Sequence, residues 1–233
     1  MSINILLEID RQILGMINGS DSLFLDGVMT TLTSGFTWIP LYLSLFYLII
    51  KNNETMHQIV LIIVCTALCV LLADGLADVM LKPLVARWRP TWDPTYKYEM
   101  DVVDNIRGES FYGFVSAHAA NTFSIAIFFC LLIRNRLLSI FLVTWSLLNC
   151  WTRMYLGLHY PSDILAGLLV GALIGILMYF VYRHIYNKIS PNLNYISSQY
   201  TSTGYSLEDI NVVETILVVT FCYAILRSVI IFI

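Results

Sequence analysis

Charge is what this sequence lacks most. Only 12% of its 233 residues are Asp, Glu, Lys or Arg, about half of the roughly 25% usual in a soluble domain. Meanwhile 58% are hydrophobic and the mean hydropathy is +0.74. That much apolar surface has no place in one soluble core of this length, so the chain reads as an integral membrane protein. A surplus of cations is also missing: the net charge of -3 gives no basis for nucleic-acid binding. There is no disulfide framework. Cys65, Cys69, Cys130, Cys150 and Cys222 all sit inside apolar runs, where cysteine packs as a small buried residue, and nothing beside Cys65 and Cys69 completes a zinc site. A cleavable leader is not expected, because Glu8, Asp10 and Arg11 interrupt the first apolar stretch. Internal repeats are absent too.

What is present is a set of long apolar runs. A bilayer core of about 30 Å takes about 20 apolar residues per helix. Six stretches qualify: 23–50, interrupted near Ser34 and Gly35, then 57–81, 116–133, 138–156, 161–182 and 212–233. The expected fold is all-α, an integral membrane six-helix transmembrane bundle with an N-terminal interfacial helix. In residues 1–22, Ile3 to Ile17 spaces apolar side chains at helical intervals around Glu8, Asp10 and Arg11, the pattern of a helix lying in the membrane interface. Packing against the bundle is the alternative, and the sequence does not separate the two. Residues 23–185 form the expected core. Residues 186–233 supply a polar tether rich in Ser, Asn and Tyr, then the last span.

Basic residues orient the bundle. With the N-terminus outside, Lys51, Arg134, Arg136, Arg183 and Lys188 fall on one side, and Lys82, Arg87, Arg89, Lys97, Arg107 and Arg153 on the other. The totals do not discriminate. The short loops 51–56 and 134–137 are the better reporters and put the first side in the cytoplasm, leaving the long loop from Lys82 to Phe114 outside. That loop carries acids from Asp93 to Glu109 and aromatics including Trp88, Trp92, Tyr98 and Phe111. It reads equally as a lid over a headgroup and as an interfacial aromatic belt.

Ionisable groups beside membrane spans are costly and point to function. Here they fall in three stretches on one membrane face. In the first, Lys82 and Arg89 are seven residues apart, nearly the same face of a helix, although Pro83 and Pro90 can bend it. Two cations aimed at one point suit a phosphate or carboxylate; alone, Lys82, Arg87 and Arg89 read as well as snorkelling side chains. Asp78 stands one turn before Lys82, at ion-pair spacing. In the second stretch, Val115-Ser116-Ala117-His118, Ser116 is a natural N-cap, and a helix start binds anions. In the third, from Thr152 and Arg153 to His159 and Asp163, Pro161 suits a first helical position. Asp163 then lies where its carboxylate can fix the His159 tautomer. Cations, a helix N-terminus, two histidines and an orienting acid fit phosphoryl transfer. Nearby cations oppose a divalent metal, so no metal or other cofactor is expected. A small anion transporter using the cations as a gate stays open as a reading of another class.

These residues resemble the type 2 phosphatidic acid phosphatase family, whose pattern is K-x6-RP, then PSGH, then SR-x5-H-x3-D. Lys82 with Arg89 and Pro90, Ser116 with His118, and Arg153 with His159 and Asp163 match it in order. The resemblance implies that His159 is a nucleophile forming a phosphohistidine, oriented by Asp163, and that His118 is the general acid. Lys82, Arg89, Ser116, the Ala117 N–H and Arg153 would bind the phosphate. It implies a membrane lipid phosphate as substrate and, for bacterial members, a site on the outer face of the inner membrane. Lipid A phosphates and undecaprenyl diphosphate are the favoured substrates, ahead of phosphatidylglycerophosphate and phosphatidic acid. Val115, Ala117 and Thr152 depart from the family's Pro, Gly and Ser, which leaves an inactive relative beside the transporter as an alternative. Vanadate-dependent haloperoxidases resemble the same motifs, but those are soluble. Oligomeric state is not legible.

Overall fold

The computed structural model describes residues 3–108, 110–189 and 198–231. Glu109 of the acidic loop, residues 190–197 of the expected tether and the end of the last expected span lie outside the described residues. The described chain is helical: α1 (Ile3–Gly15), α2 (Leu23–Thr33), a 3-10 turn (Gly35–Trp38), α3 (Ile39–Lys51), and α4 (Met56–Asp74). A π-helical segment (Gly75–Leu81) continues α4 into α5 (Lys82–Val85). Then follow α6 (Ala117–Ile133), α7 (Arg136–Tyr155), α8 (Pro161–Ile189) and α9 (Leu207–Ile231). The starts follow local chemistry. Thr55 and Gln58 form a reciprocal capping box at α4, and Ser22, Ser116 and Asn135 cap α2, α6 and α7 through their side-chain oxygens.

Four helices, Met56–Val85, Arg136–Tyr155, Pro161–Ile189 and Leu207–Ile230, are long and apolar enough to cross a membrane. Leu23–Thr33 and Gly35–Lys51 are a pair bent by 65° and make a fifth if counted as one span. The bend falls at Ser34 and Gly35, where the sequence showed its interruption. Of the six expected spans, the remaining one, α6, is apolar but only 17 residues long, short of the roughly 20 that a bilayer takes. Its first turn, with Ala117 and His118, lines a cavity.

Trp38 and Trp145, both buried, meet edge to face at 5.8 Å, and Phe221 of α9 stands 5.4 Å from Trp38. With Ile210, Val213, Leu217 and Ala224 fully buried, α9 belongs to the bundle, packing on α2 and α3. Helix α1 faces the bundle with Asp10 and Leu14, while Ile5 and Leu6 stay exposed.

The contact that positions the site is α6 against α8. A Cβ added at Gly167, Gly171 or Gly175 would lie 2.6, 2.5 or 2.6 Å from the carbonyl oxygens of Ser116, Ala120 and Ser124. The glycine stripe lets backbone touch backbone, as small-residue stripes do in membrane bundles, and it sets the two helix starts side by side. The Ser116 N–H donates to the Asp163 carbonyl at 3.1 Å. Gly171→Ala is therefore expected to cost ~1–3 kcal/mol through forced separation of the helices. Gly35→Ala, whose Cβ meets nothing within 4 Å, is the neutral control. Thermal unfolding in detergent checks this; equal midpoints for the two variants would contradict it.

Candidate active site

All three polar stretches reach one end of the bundle. Helix α5 ends at Ala86, whose left-handed backbone turns the chain out of the helix. Lys82 and Arg89 thus do not share a helical face, contrary to the seven-residue spacing argument. The helix stops between them, and Arg89 arrives from the loop. The loop folds back on itself: the Arg89 N–H donates to Phe111 O at 2.8 Å, the Gly113 N–H to Arg87 O at 2.9 Å, and Trp88 bridges Tyr112 antiparallel. Arg153 comes from the last turn of α7. Gly157, with φ of +66°, makes the tight turn that carries the chain to His159. Pro161 then opens α8, and Asp163 falls in its first turn.

A cavity of about 870 Å³ opens here, and Lys82, Arg89, Ala117, His118, Arg153 and His159 all line it. Ser116 and Asp163, both fully buried, stand directly behind. The structure thus brings together every candidate residue read from the sequence. Asp78 does pair with Lys82. Asp74 takes the other course and accepts from Asn121 Nδ2 at 2.6 Å inside the bundle.

Arg89 organises the centre. Its Nε donates to Ser110 O at 2.7 Å, and Nη1 reaches Leu158 O at 3.2 Å and His159 Nε2 at 3.1 Å. A guanidinium only donates, so Nε2 must accept, and the neutral ring carries its proton on Nδ1. That nitrogen faces Asp163 Oδ2 at 3.7 Å, somewhat beyond hydrogen-bond length. Burial and the cations Arg89, Arg153 and Lys82 hold the His159 imidazole well below its ordinary value of 6.5, so it is neutral at physiological pH, with its Nε2 lone pair engaged by Arg89 Nη1 at the cavity wall. Gly113 allows this closeness: a Cβ there would stand 3.2 Å from Asp163 Oδ2 and 3.5 Å from His159 Nδ1.

The three departures from the family pattern are accommodated. Val115 is buried among Ala77, Ala117 and Phe114. Ala117 sits in the first helical turn, whose N–H groups lack intrahelical acceptors. The Thr152 hydroxyl donates to Asn149 O at 2.8 Å within its own helix.

Sequence reasoning missed the residues behind the site. Arg87 does not snorkel; it turns inward and donates to Asp163 Oδ1 at 2.9 Å and to Asp10 Oδ2 at 2.7 Å. The signal available was two acids, Asp10 and Asp163, inside otherwise apolar stretches. Ser110 and Gly113 carried none.

A membrane-embedded helical bundle with two histidines and three cations around one cavity defines a class, and the match to known proteins agrees with it. The PAP2 superfamily model matches residues 58–186, more than half of the chain, and the chain belongs to that family. A Bacteroides thetaiotaomicron protein named lipid A 4'-phosphatase is 41% identical over 179 residues, covering 77% of this chain and 79% of that protein. A Porphyromonas gingivalis protein of the same name is 29% identical over 182 residues, covering 76% and 74%. No solved structure matches.

Proposed function

We propose that this protein is a membrane lipid phosphatase that hydrolyses the 4'-phosphate monoester of lipid A through a phosphohistidine on His159. The observation that carries the reaction class is the pair of histidines in one cavity with Lys82, Arg89 and Arg153, with the Nε2 of His159 as an acceptor. The two relatives named lipid A 4'-phosphatase support the substrate.

Lys82, Arg89, Arg153, Ser116 and the first amides of α6, Ala117 included, take the phosphoryl oxygens, whose charge grows towards the transition state. Arg89 Nη1 passes from His159 Nε2 to a phosphoryl oxygen as substrate enters; Nε2 then forms the N–P bond as the P–O bond to the sugar breaks, and His118 gives its proton to the leaving oxygen. Water then attacks the phosphohistidine, His118 takes a proton from it, and inorganic phosphate leaves with His159 restored. Asp163 stabilises the charge that appears on the His159 ring. The cavity lies where a lipid headgroup sits while its acyl chains stay in the bilayer. The basic short loops on the opposite side support an inner-membrane location with the cavity facing the periplasm.

The test is phosphate release by the detergent-purified protein, in EDTA. The panel is lipid A bearing both phosphates, lipid A bearing only the 1-phosphate, undecaprenyl diphosphate and phosphatidic acid. Release from the first alone is expected. Equal rates on phosphatidic acid or undecaprenyl diphosphate would overturn the substrate. Loss of activity in EDTA that a divalent ion restores would overturn the mechanism.

A further inference from the structure

We propose that Asp10 is a positioning residue of this site: together with Arg87 it holds the Asp163 carboxylate against His159, making the N-terminal helix part of the catalytic apparatus. The inference rests on the phosphohistidine reading above.

The geometry is a chain of buried charges. Arg87 is held at both ends of its fork. Nη1 donates to Asp163 Oδ1 at 2.9 Å and to Ser162 Oγ at 2.6 Å, and Nη2 donates to Asp10 Oδ2 at 2.7 Å. Asp10 also accepts from the Ser162 N–H at 3.0 Å and from Ser162 Oγ at 2.5 Å, so a residue of α1 satisfies an amide in the first turn of α8. The guanidinium lies over the Tyr160 ring at 4.2 Å, which limits its remaining freedom. The side chains of Asp10 and Asp163 are 4% and 0% exposed, and that of Arg87 is 15% exposed.

Such a chain does two things for His159. The first is orientation. Asp163 Oδ1 is taken by Arg87, so only Oδ2 is left to face His159 Nδ1 and the Tyr160 N–H, which donates to it at 3.0 Å. The carboxylate cannot rotate unless Arg87 moves, and Arg87 cannot move while Asp10 holds it. The second is charge. Arg87 alone would cancel Asp163 and leave the imidazole facing a neutral pair. With Asp10 the trio carries one net negative charge, which favours the positive charge that develops on the ring as Nε2 attacks phosphorus. Neither effect requires contact with substrate.

Asp10→Asn keeps the shape and an acceptor for Ser162 while removing the charge. On lipid A it is expected to lower kcat about 10–100-fold, the scale of a small misplacement of a catalytic group, with KM unchanged within about twofold. Because Asp10 acts through Asp163, Asp10→Asn combined with Asp163→Asn is expected to be no slower than Asp163→Asn alone, within about threefold. A merely structural role predicts losses that multiply. If Asp10→Asn does not fold, as judged by thermal unfolding in detergent, then Asp10→Asn with Arg87→Gln, which leaves no unpaired buried cation but frees the Asp163 carboxylate to rotate, is expected to lower kcat through lost orientation, about 10-fold, with KM unchanged. Parental kcat in the folded Asp10 variant, a change in KM alone, or multiplying losses would overturn the inference and leave the phosphohistidine reading standing. A parent active on lipid A whose Asp163→Asn variant is equally fast would overturn both.

Discussion

Replacing His159 with Ala is expected to reduce phosphate release at least about 10⁴-fold, equivalent to ~5.5 kcal/mol of transition-state stabilisation. Among the described residues, no other side chain lining the cavity has a hydrogen bond that leaves a neutral ring nitrogen as acceptor: the ring is held by Arg89 on one side and faces Asp163 on the other. The loss should fall on kcat, because the cations assigned to phosphate in the proposed mechanism remain in place. The parent's pH profile tests the same assignment. Burial and the surrounding cations lower the His159 pKa below 6.5, and the nucleophile works in its unprotonated form. The acid limb of kcat/KM set by His159 is therefore expected below pH 6.5 rather than near 7. Activity should not fall as the pH is lowered from 7.5 to 6.5. A profile already falling through pH 7, absent in His159→Ala, would contradict the assignment. So would a variant that releases phosphate at more than about 1% of the parental rate.

The legibility of this site from sequence follows from cost. Lys82, His118, Arg153 and His159 stand out because ionisable groups at the edges of apolar runs are expensive, and their spacing could be matched to a family. Arg87 lies among them and was missed, because a cation at a helix end has an inexpensive alternative in snorkelling to headgroups. What turns it inward is Asp10, a partner 77 residues away that no local pattern connects to it. The glycine stripe of α8 was visible as a packing face, but its partner was not. Only the fold places Ser116, Ala120 and Ser124 opposite it. The bend at Ser34 and the start of α6 at Ala117 agree with the sequence reading because caps and breakers act locally. The end of the second span does not. It runs to Val85 rather than stopping at 81, because the π-helical segment before Lys82 carries the helix past Pro83.

Arg89→Lys is the second large effect, expected to cost about 10²–10³-fold in kcat, the scale of losing one preorganised donor at the developing charge. The substitution keeps the charge, so a site that needed only positive potential would tolerate it. Arg89 does more than supply potential. One planar group donates at once to Ser110 O and Ser110 Oγ in the loop, to Leu158 O before the third motif, and to His159 Nε2. A lysine ammonium is a single point with three donors and cannot reach both sides of that gap. The fit leaves little slack: a Cβ at Gly108 would lie 3.1 Å from the guanidinium carbon, and one at Gly113 would lie 3.2 Å from Arg89 Cγ. With lysine the loop loses its tie to the His159 segment, so the nucleophile loses the donor that fixes its tautomer. KM for lipid A should rise as well, because the proposed mechanism has Arg89 also meet the phosphate, whereas Asp10→Asn should leave KM alone. Steady-state kinetics on both variants separates the two roles. If Arg89→Lys retained parental kcat, Arg89 would be a source of charge rather than the brace between the first and third motifs.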